Sequence, residues 1–257
     1  MQETSAERAD RGRHCSVLSF VVPAHNEEQA LGATLASLET AARAIHQLSE
    51  IVVVDDASTD RTAEIARARG ASLRSVNLRH IAAARNAGAA VALGDVLVFV
   101  DADTTVTGAV VAAAVAAIEC GAVGGGARVK LASDSPRWAR AVWAVASWYY
   151  RRLGLAAGCF LFARRDAFEA AGGFDETYFA TEEIHLSRAL LALGSFVVLR
   201  EAVTTSGRKF QLLSAWAFAR EALRLARAGW VPYKSRHRWW YGPQRERSDA
   251  GGRTRQE

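Results

Sequence analysis

An α/β fold, with one sheet covered by helices on both faces, is what this 257-residue sequence predicts. Three observations carry the prediction. Short, nearly all-apolar runs rich in β-branched residues alternate with stretches of helical periodicity, the pattern of strands buried on both faces. Those runs end abruptly in acidic or polar residues, as strands do where they leave a sheet edge. The composition, 50% hydrophobic and 23% charged, is that of a folded globular chain and excludes wholesale disorder.

Taken in order, residues 17–22 form an apolar run closed by Pro23, and Asn26 is placed to cap a helix whose apolar positions Leu31, Leu35 and Leu38 recur three or four apart. Residues 51–54 repeat the strand pattern, followed by Asp55-Asp56-Ala57-Ser58-Thr59-Asp60 and a helix through Arg69. Residues 73–76 predict a third strand, and 81–93 an Ala-rich helix weakened by Gly88. Residues 96–100 predict a fourth strand, ending at Asp101-Ala102-Asp103, and 104–118 read as a buried helix. Beyond it the pattern predicts a strand at 122–129, with close backbone approach at Gly124-Gly125-Gly126. A helix from Pro136 through Arg152, a strand at 158–163, helices at 165–170 and 182–193, and a strand at 196–199 complete this part. In the last long helix Ile184, Leu186, Leu190 and Leu193 are the apolar positions. Residues 210–228 predict an amphipathic helix.

No uncharged apolar run reaches the ~18 to 20 residues that a membrane span needs. The first fifteen residues carry Glu3, Glu7 and Asp10 and lack an apolar segment, so no signal peptide is expected. Cys15, Cys120 and Cys159 stand at unrelated spacings and predict neither a disulfide framework nor a zinc site, which makes a reducing cytoplasm the expected location. Charge is unevenly placed. Residues 1–200 hold 20 basic and 22 acidic side chains, residues 201–257 hold 12 and 5. The main body is neutral and the tail basic, which argues against nucleic-acid binding and for a C-terminal segment that meets something anionic.

In sheets of this kind ligands bind beyond the carboxyl ends of the strands. Asp101 and Asp103, one residue apart after a buried strand, are hard oxygen donors suited to Mg²⁺ or Mn²⁺ alongside substrate phosphates; the alternative is that Asp103 caps the following helix. Turn and capping chemistry accounts for Ser58, Thr59 and Asp60, but not for two adjacent acids at Asp55 and Asp56. Glu27 and Glu28 read as first-turn acids. Glu182 and Glu183 read either as macrodipole partners or, facing the edge, as a general base.

The ordered set of motifs resembles glycosyltransferase family 2. The matching segments are V-V-P-A-H-N-E-E at 21–28, V-V-V-D-D-A-S-T-D at 52–60, A-R-N-A-G at 84–88 and V-D-A-D at 100–103. They continue with G-C-F-L-F-A-R-R-D-A-F at 158–168, G-G-F-D-E at 172–176 and T-E-E-I-H-L-S at 181–187. The resemblance implies a GT-A fold, Rossmann-like with a mixed sheet, and inverting transfer from a nucleotide-diphospho-sugar to an acceptor hydroxyl. It implies that Ala24, Glu27 and Asp55 contact the nucleoside, that Arg85 lies near the base or phosphates, and that Asp101 faces the ribose and the metal. Asp103 would ligate the metal, Gly158, Cys159 and Glu182 would line the acceptor side, and Glu183 would be the base. The sequence departs from the family in having Glu182-Glu183 where Glu-Asp is usual, and in carrying His185 where an acid is often found. It also lacks the Q-x-x-R-W motif and membrane helices of processive synthases, which favours transfer of a single sugar.

The expected organisation is a disordered segment at 1–14, a catalytic domain at 15–210 (donor half 15–104, acceptor half 105–210), and a helix and tail at 211–257, disordered from 242. Trp230, Tyr233, Trp239, Trp240 and Tyr241 lie among Lys234, Arg236, His237 and Arg238, a mixture suited to an anionic membrane face, a lipid-linked acceptor or a single-stranded nucleic acid; the alternative is a solvated basic tail after a helix packed on the domain. Arg208 and Lys209 precede the helix within reach of a donor diphosphate. A dehydrogenase is disfavoured, since no G-x-G-x-x-G opens a helix after a strand. A nucleotidyltransferase would need a Gly-rich loop where Pro23-Ala24-His25 stands. The rival from another class is a non-catalytic sugar-nucleotide or glycan-binding protein on the same fold.

Overall fold

The computed structural model describes residues 17–178 and 181–208. One eight-stranded mixed sheet runs in the order β3-β2-β1-β4-β7-β6-β8-β5. The strands are β1 (Leu18–Ala24), β2 (Ser49–Asp56), β3 (Ser72–Val76), β4 (Val96–Val100), β5 (Thr104–Thr105), β6 (Gly124–Leu131), β7 (Phe160–Arg164) and β8 (Phe196–Thr205). Strands β3, β2, β1 and β4 are parallel, β7 is antiparallel to both β4 and β6, and β8 runs parallel to β6. The helices are α1 (Leu31–Ala44), α2 (Thr62–Ala68), α3 (Ile81–Val91), α4 (Gly108–Glu119), α5 (Arg137–Arg152), α6 (Arg165–Ala170) and α7 (Glu182–Leu193).

The strand alternation splits the core into two layers. On one face Leu18, Phe20 and Val22 of β1 pack with Leu31, Leu35 and Leu38 of α1 and Val110 and Val111 of α4. On the other, Val21 of β1, Val52 and Val54 of β2 and Phe99 of β4 pack with Ala82, Ala84 and Ala89 of α3 and Leu186 and Leu190 of α7. Side chains of a strand point alternately to opposite faces, so an all-apolar strand requires both layers.

Gly88, which weakens α3 by propensity, is required by packing. A Cβ there would lie 2.4 Å from Val21 Cγ1 and 2.8 Å from Val54 Cγ2, so only glycine lets α3 approach the sheet this closely. The close approach expected at Gly124-Gly125-Gly126 is present in β6: a Cβ on Gly125 would stand 2.1 Å from the Val197 carbonyl oxygen.

Several local expectations are corrected. Asn26 does not cap α1, which begins five residues later. With φ 53° it turns the chain, and its Oδ1 accepts the Thr59 N–H at 2.8 Å. Asp103 does not cap α4, whose N-cap is Thr107, and residues 104–105 are a short strand instead of the helix start. Leu193 is exposed, because α7 has turned it off the core face by its last turn. The final strand continues past Leu199 to Thr205, where it pairs with β5. The segments 1–14, 210–228 and the basic aromatic tail lie outside the described residues.

Candidate active site

The carboxyl ends of β1, β2 and β4 and the amino end of β7 share one edge, and the sequence-predicted residues gather there. Ala24 ends β1 and Asp55 lies near the end of β2, both buried. Asp101 follows β4, while Gly158 and Cys159 lead into β7, the Asp101 N–H donating to the Cys159 carbonyl at 3.3 Å. Among the described residues, four of the five non-glycine positive-φ positions (Asn26, Ala57, Arg79 and Thr181) lie in loops around this edge. Each such conformation costs about 1–3 kcal/mol and persists where the surroundings over-determine it, commonly at functional sites.

Arg85 of α3 is the hub. It is 1% exposed, yet its Nη1 donates to Glu182 Oε1 at 2.7 Å, and its Nη2 to Asp101 Oδ1 and the Gly158 carbonyl, both at 2.8 Å. The guanidinium carbon lies 5.2 Å from the centre of the Phe174 ring. Burial works against its charge, but the carboxylates of Asp101, Glu182 and Glu183 outweigh that and hold it above its ordinary value. Expected near the nucleotide base or phosphates, Arg85 instead has both terminal nitrogens engaged by protein. Its neighbour Asn86 exchanges two 2.9 Å hydrogen bonds with the backbone of Phe174. Within A-R-N-A-G, then, the arginine ties the site together, the asparagine anchors the G-G-F-D-E loop and the glycine seats the helix.

Glu182 and Glu183 are adjacent but differently placed. Glu182, expected to line the acceptor side, is buried and paired with Arg85. Glu183 is half-buried. A Cβ built on Gly158 would lie 3.5 Å from its carboxyl carbon and 3.7 Å from Oε2, so the absence of a side chain at 158 leaves that carboxyl room. Burial, then the charge of Glu182, pushes the Glu183 carboxyl up to about 8. Tyr150 of α5 approaches the same carboxylates: burial, then Glu183 and Glu182, raises its phenol. No sequence pattern marks Tyr150. Thr181, in the left-handed region at φ 73°, turns the chain into α7, and His185 stacks on Tyr178 with ring centres 4.1 Å apart.

Cys159, expected on the acceptor side, sends its side chain into the core layer beneath the edge. Burial and the charges of Asp101 and Asp103 push its thiol well above the usual range. Asp56 and Asp60 are framework residues. Asp56 accepts the N–H groups of Leu78, Arg79 and His80 at 2.6, 2.9 and 3.1 Å, and Asp60 those of Glu28 and Thr62 at 3.0 and 2.9 Å.

On the opposite flank β8 delivers Arg208. Its guanidinium forms an ion pair with the buried Glu27 and lies 3.9 Å from Asp103 Oδ2, while Thr205 Oγ1 donates to Asp103 Oδ1 at 3.3 Å. Glu27, expected against the nucleoside, thus faces a cation. Among the described residues no three ligating side chains cluster as a metal site. Asp101 and Asp103 nonetheless fit a hard divalent ion whose remaining positions are filled by diphosphate oxygens and water, since such ions commonly bind through one or two carboxylates. The guanidinium beside Asp103 marks the same spot as one that favours a cation.

Comparison with known proteins bears on the fold and the family. The chain is 35% identical over 106 residues to 4,4'-diaponeurosporenoate glycosyltransferase of Staphylococcus haemolyticus, covering 38% of this chain and 27% of that protein. It is 44% identical over 52 residues to undecaprenyl-phosphate 4-deoxy-4-formamido-L-arabinose transferase of Pseudomonas paraeruginosa, covering 20% and 15%. The chain thus spans about a quarter or less of the length of these curated relatives. Among solved structures, S. aureus TarS 1-349 superposes with TM-score 0.57 at 19% identity, covering 75% of this chain and 61% of that one. Glucosyl-3-phosphoglycerate synthase from Mycobacterium tuberculosis in complex with Mg²⁺ and UDP superposes with TM-score 0.58 at 21% identity, covering 89% and 85%. These likenesses carry the fold, which is GT-A. The family model described as glycosyl transferase family 2 matches residues 19–170, more than half the chain, and the protein belongs to that family.

Proposed function

We propose that the protein transfers one sugar from a nucleotide-diphospho-sugar to an acceptor hydroxyl with inversion, Glu183 acting as general base. The observation that carries this reading is the Glu183 carboxyl itself, half-buried beside Gly158 and held up to about 8 at the edge where Asp101 and Asp103 also sit. A base poised near the working pH is effective at accepting a proton during attack. The relatives and neighbours whose names include glycosyltransferase, a sugar transferase or UDP support a sugar-nucleotide donor.

In the reaction the acceptor hydroxyl proton passes to Glu183 as its oxygen bonds to the anomeric carbon. The bond from that carbon to the diphosphate breaks, and its electron pair leaves with the nucleoside diphosphate. Asp103 and Asp101 would hold a Mg²⁺ or Mn²⁺ ion, which when bound supplies charge neutralisation at the diphosphate. Arg85 keeps Asp101 oriented and, through Glu182, fixes the start of α7, from which Glu183 projects. Arg208 lies beside Asp103, where its charge favours the diphosphate. Residues 15–104 serve the donor and 105–210 the acceptor, and the basic aromatic tail holds the enzyme at the inner face of an anionic membrane near a lipid-linked acceptor.

The test is donor turnover. Wild type should bind a nucleotide-diphospho-sugar in the presence of Mn²⁺ and release nucleoside diphosphate when an acceptor is supplied, and Glu183→Gln should bind but not turn over. Binding without turnover in wild type, across donors and acceptors, would favour the non-catalytic binding protein.

A further inference from the structure

Helix α5 carries a feature the catalytic reading does not use. Its inward side packs on β6, with Ala139 buried and the Val129 N–H donating to Ser147 Oγ at 3.2 Å. Its outward side is apolar. Val142, Val145, Tyr149 and Leu153 recur at helical spacing along one face, with Trp148 beside them, and all five are exposed, Val145 by 68% and Trp148 by 65%. Arg137 and Arg140 precede this stripe, and Arg151 and Arg152 stand at its far end. Between residues 135 and 165 there are six arginines and no carboxylate.

We infer that the outward face of α5 docks on an anionic lipid surface. An apolar stripe carrying tryptophan and bordered by arginine is the surface that enters the headgroup boundary of a bilayer, with rings and aliphatic groups in the acyl margin and guanidinium groups on lipid phosphates. Two other occupants fit less well. Residues 201–257 carry 12 basic side chains against 5 acidic, so covering α5 with the chain's own C-terminal segment would bring like charges together. A nucleic acid would use the arginines but leave Val142, Val145 and Leu153 in water. The docking has a consequence for the site, because the inward side of the same helix brings Tyr150 to Glu183, and the segment after it is tied to α7 where the Ala156 N–H donates to Ser187 Oγ at 3.2 Å. The bilayer and the acceptor side of the edge therefore meet on one helix. This goes beyond the proposed reaction and does not require it.

The experiment measures binding of the full-length chain to vesicles of phosphatidylglycerol with phosphatidylcholine, and to phosphatidylcholine alone. Wild type should bind the anionic vesicles, less tightly but still measurably at high salt, because the apolar contribution is not screened. The double variant Val145→Asp/Trp148→Asp should lose roughly tenfold or more in affinity, with its melting temperature and nucleoside-diphosphate release on a water-soluble acceptor retained. Leu93→Asp, at a position 82% exposed on a different surface, should bind as wild type does. A full-length variant with Lys234, Arg236 and Arg238 changed to Gln separates the tail from the helix. If that variant alone abolishes binding while the α5 variant binds normally, the tail is the anchor and the inference fails. It fails equally if the wild type is a dimer that the α5 variant converts to monomers without touching vesicle binding, or if single-stranded nucleic acid binds in its place.

Discussion

Two acidic turns leave the same sheet edge, one after β2 and one after β4, and they do opposite things. In the β2 turn Asp56 accepts three backbone N–H groups from residues 78–80 and Asp60 two from residues 28 and 62, so these carboxylates hold loops. In the β4 turn Asp101 is held by the buried Arg85, while Asp103 faces a hydroxyl and the partly exposed Arg208 guanidinium. A related contrast recurs one residue apart in α7, where Glu182 is paired with Arg85 while the Glu183 carboxyl lies beside Gly158. Spacing from the next acid does not distinguish these carboxylates: Asp56 and Asp60 face backbone N–H groups, whereas Asp101, Asp103 and Glu182 face side chains.

The contrast in α7 is the sharpest to break. Glu183→Gln should lower transfer by roughly 10²- to 10⁴-fold with donor affinity retained, as read by nucleoside-diphosphate release and by calorimetric titration of the donor. Glu182→Gln should instead act mainly on stability, lowering the melting temperature. If Glu182→Gln removes turnover at unchanged stability, the two assignments must be exchanged.

The hub comes next. Arg85→Met leaves Glu182 buried opposite an apolar side chain and Asp101 unheld, and removing one partner from a buried pair costs about 3–5 kcal/mol. Urea unfolding should show that loss. Arg85→Lys should recover only part of it, since an ammonium cannot reproduce the fork that reaches Glu182, Asp101 and the Gly158 carbonyl together. A full rescue by lysine would mean that charge alone matters.

Between the two turns, Asp103→Asn should weaken Mn²⁺-dependent donor binding by roughly tenfold or more at an unchanged melting temperature. Asp56→Ala should destabilise by about 1–3 kcal/mol, because the N–H groups of residues 78–80, that of buried His80 among them, lose their acceptor. Equal donor affinity with and without chelator in wild type would remove the metal from the β4 turn.

The last test is on pH. The folded-state Glu183 carboxyl lies above its ordinary 4.5, at about 8, so across that window the native state holds a proton that the unfolded chain has released. Stability should therefore fall as pH rises from 4.5 towards 8, and the fall should be shallower in Glu183→Gln. Transfer should rise through the same window as the base ionises. Melting curves and rates from about pH 5 to about pH 9 test both signs.

The fold was legible because it rests on local patterns. Three apolar runs rich in β-branched residues name the parallel strands β1, β2 and β4, and Leu31, Leu35 and Leu38, all fully buried, name the face of α1. The residues that converge were legible through ordered motifs, and their partners were not. Nothing local in A-R-N-A-G says that Arg85 will meet Glu182, 97 positions away, or that Arg208 will return to Glu27 across 181. The burial of Cys159 and Glu182 is illegible for a related reason: a motif gives a residue's position on the edge but not whether its side chain turns towards solvent or into the core. Gly88 shows the limit of propensity, since its helical cost is outweighed by a contact with two valines of the sheet.

Arg208 stands where the proposed divalent ion would have to bind. A monovalent cation of the protein's own already stands between Glu27 and Asp103, so a divalent ion that binds Asp103 must share that carboxylate with it or displace it. If Asp103 holds a divalent ion as proposed, its apparent affinity would be the intrinsic one reduced by the fraction of molecules in which the arginine has left that carboxylate. A diphosphate would offer the freed guanidinium a new counter-charge, so donor and metal would each lower the threshold for the other. Metal arriving without a donor would have to compete for its place.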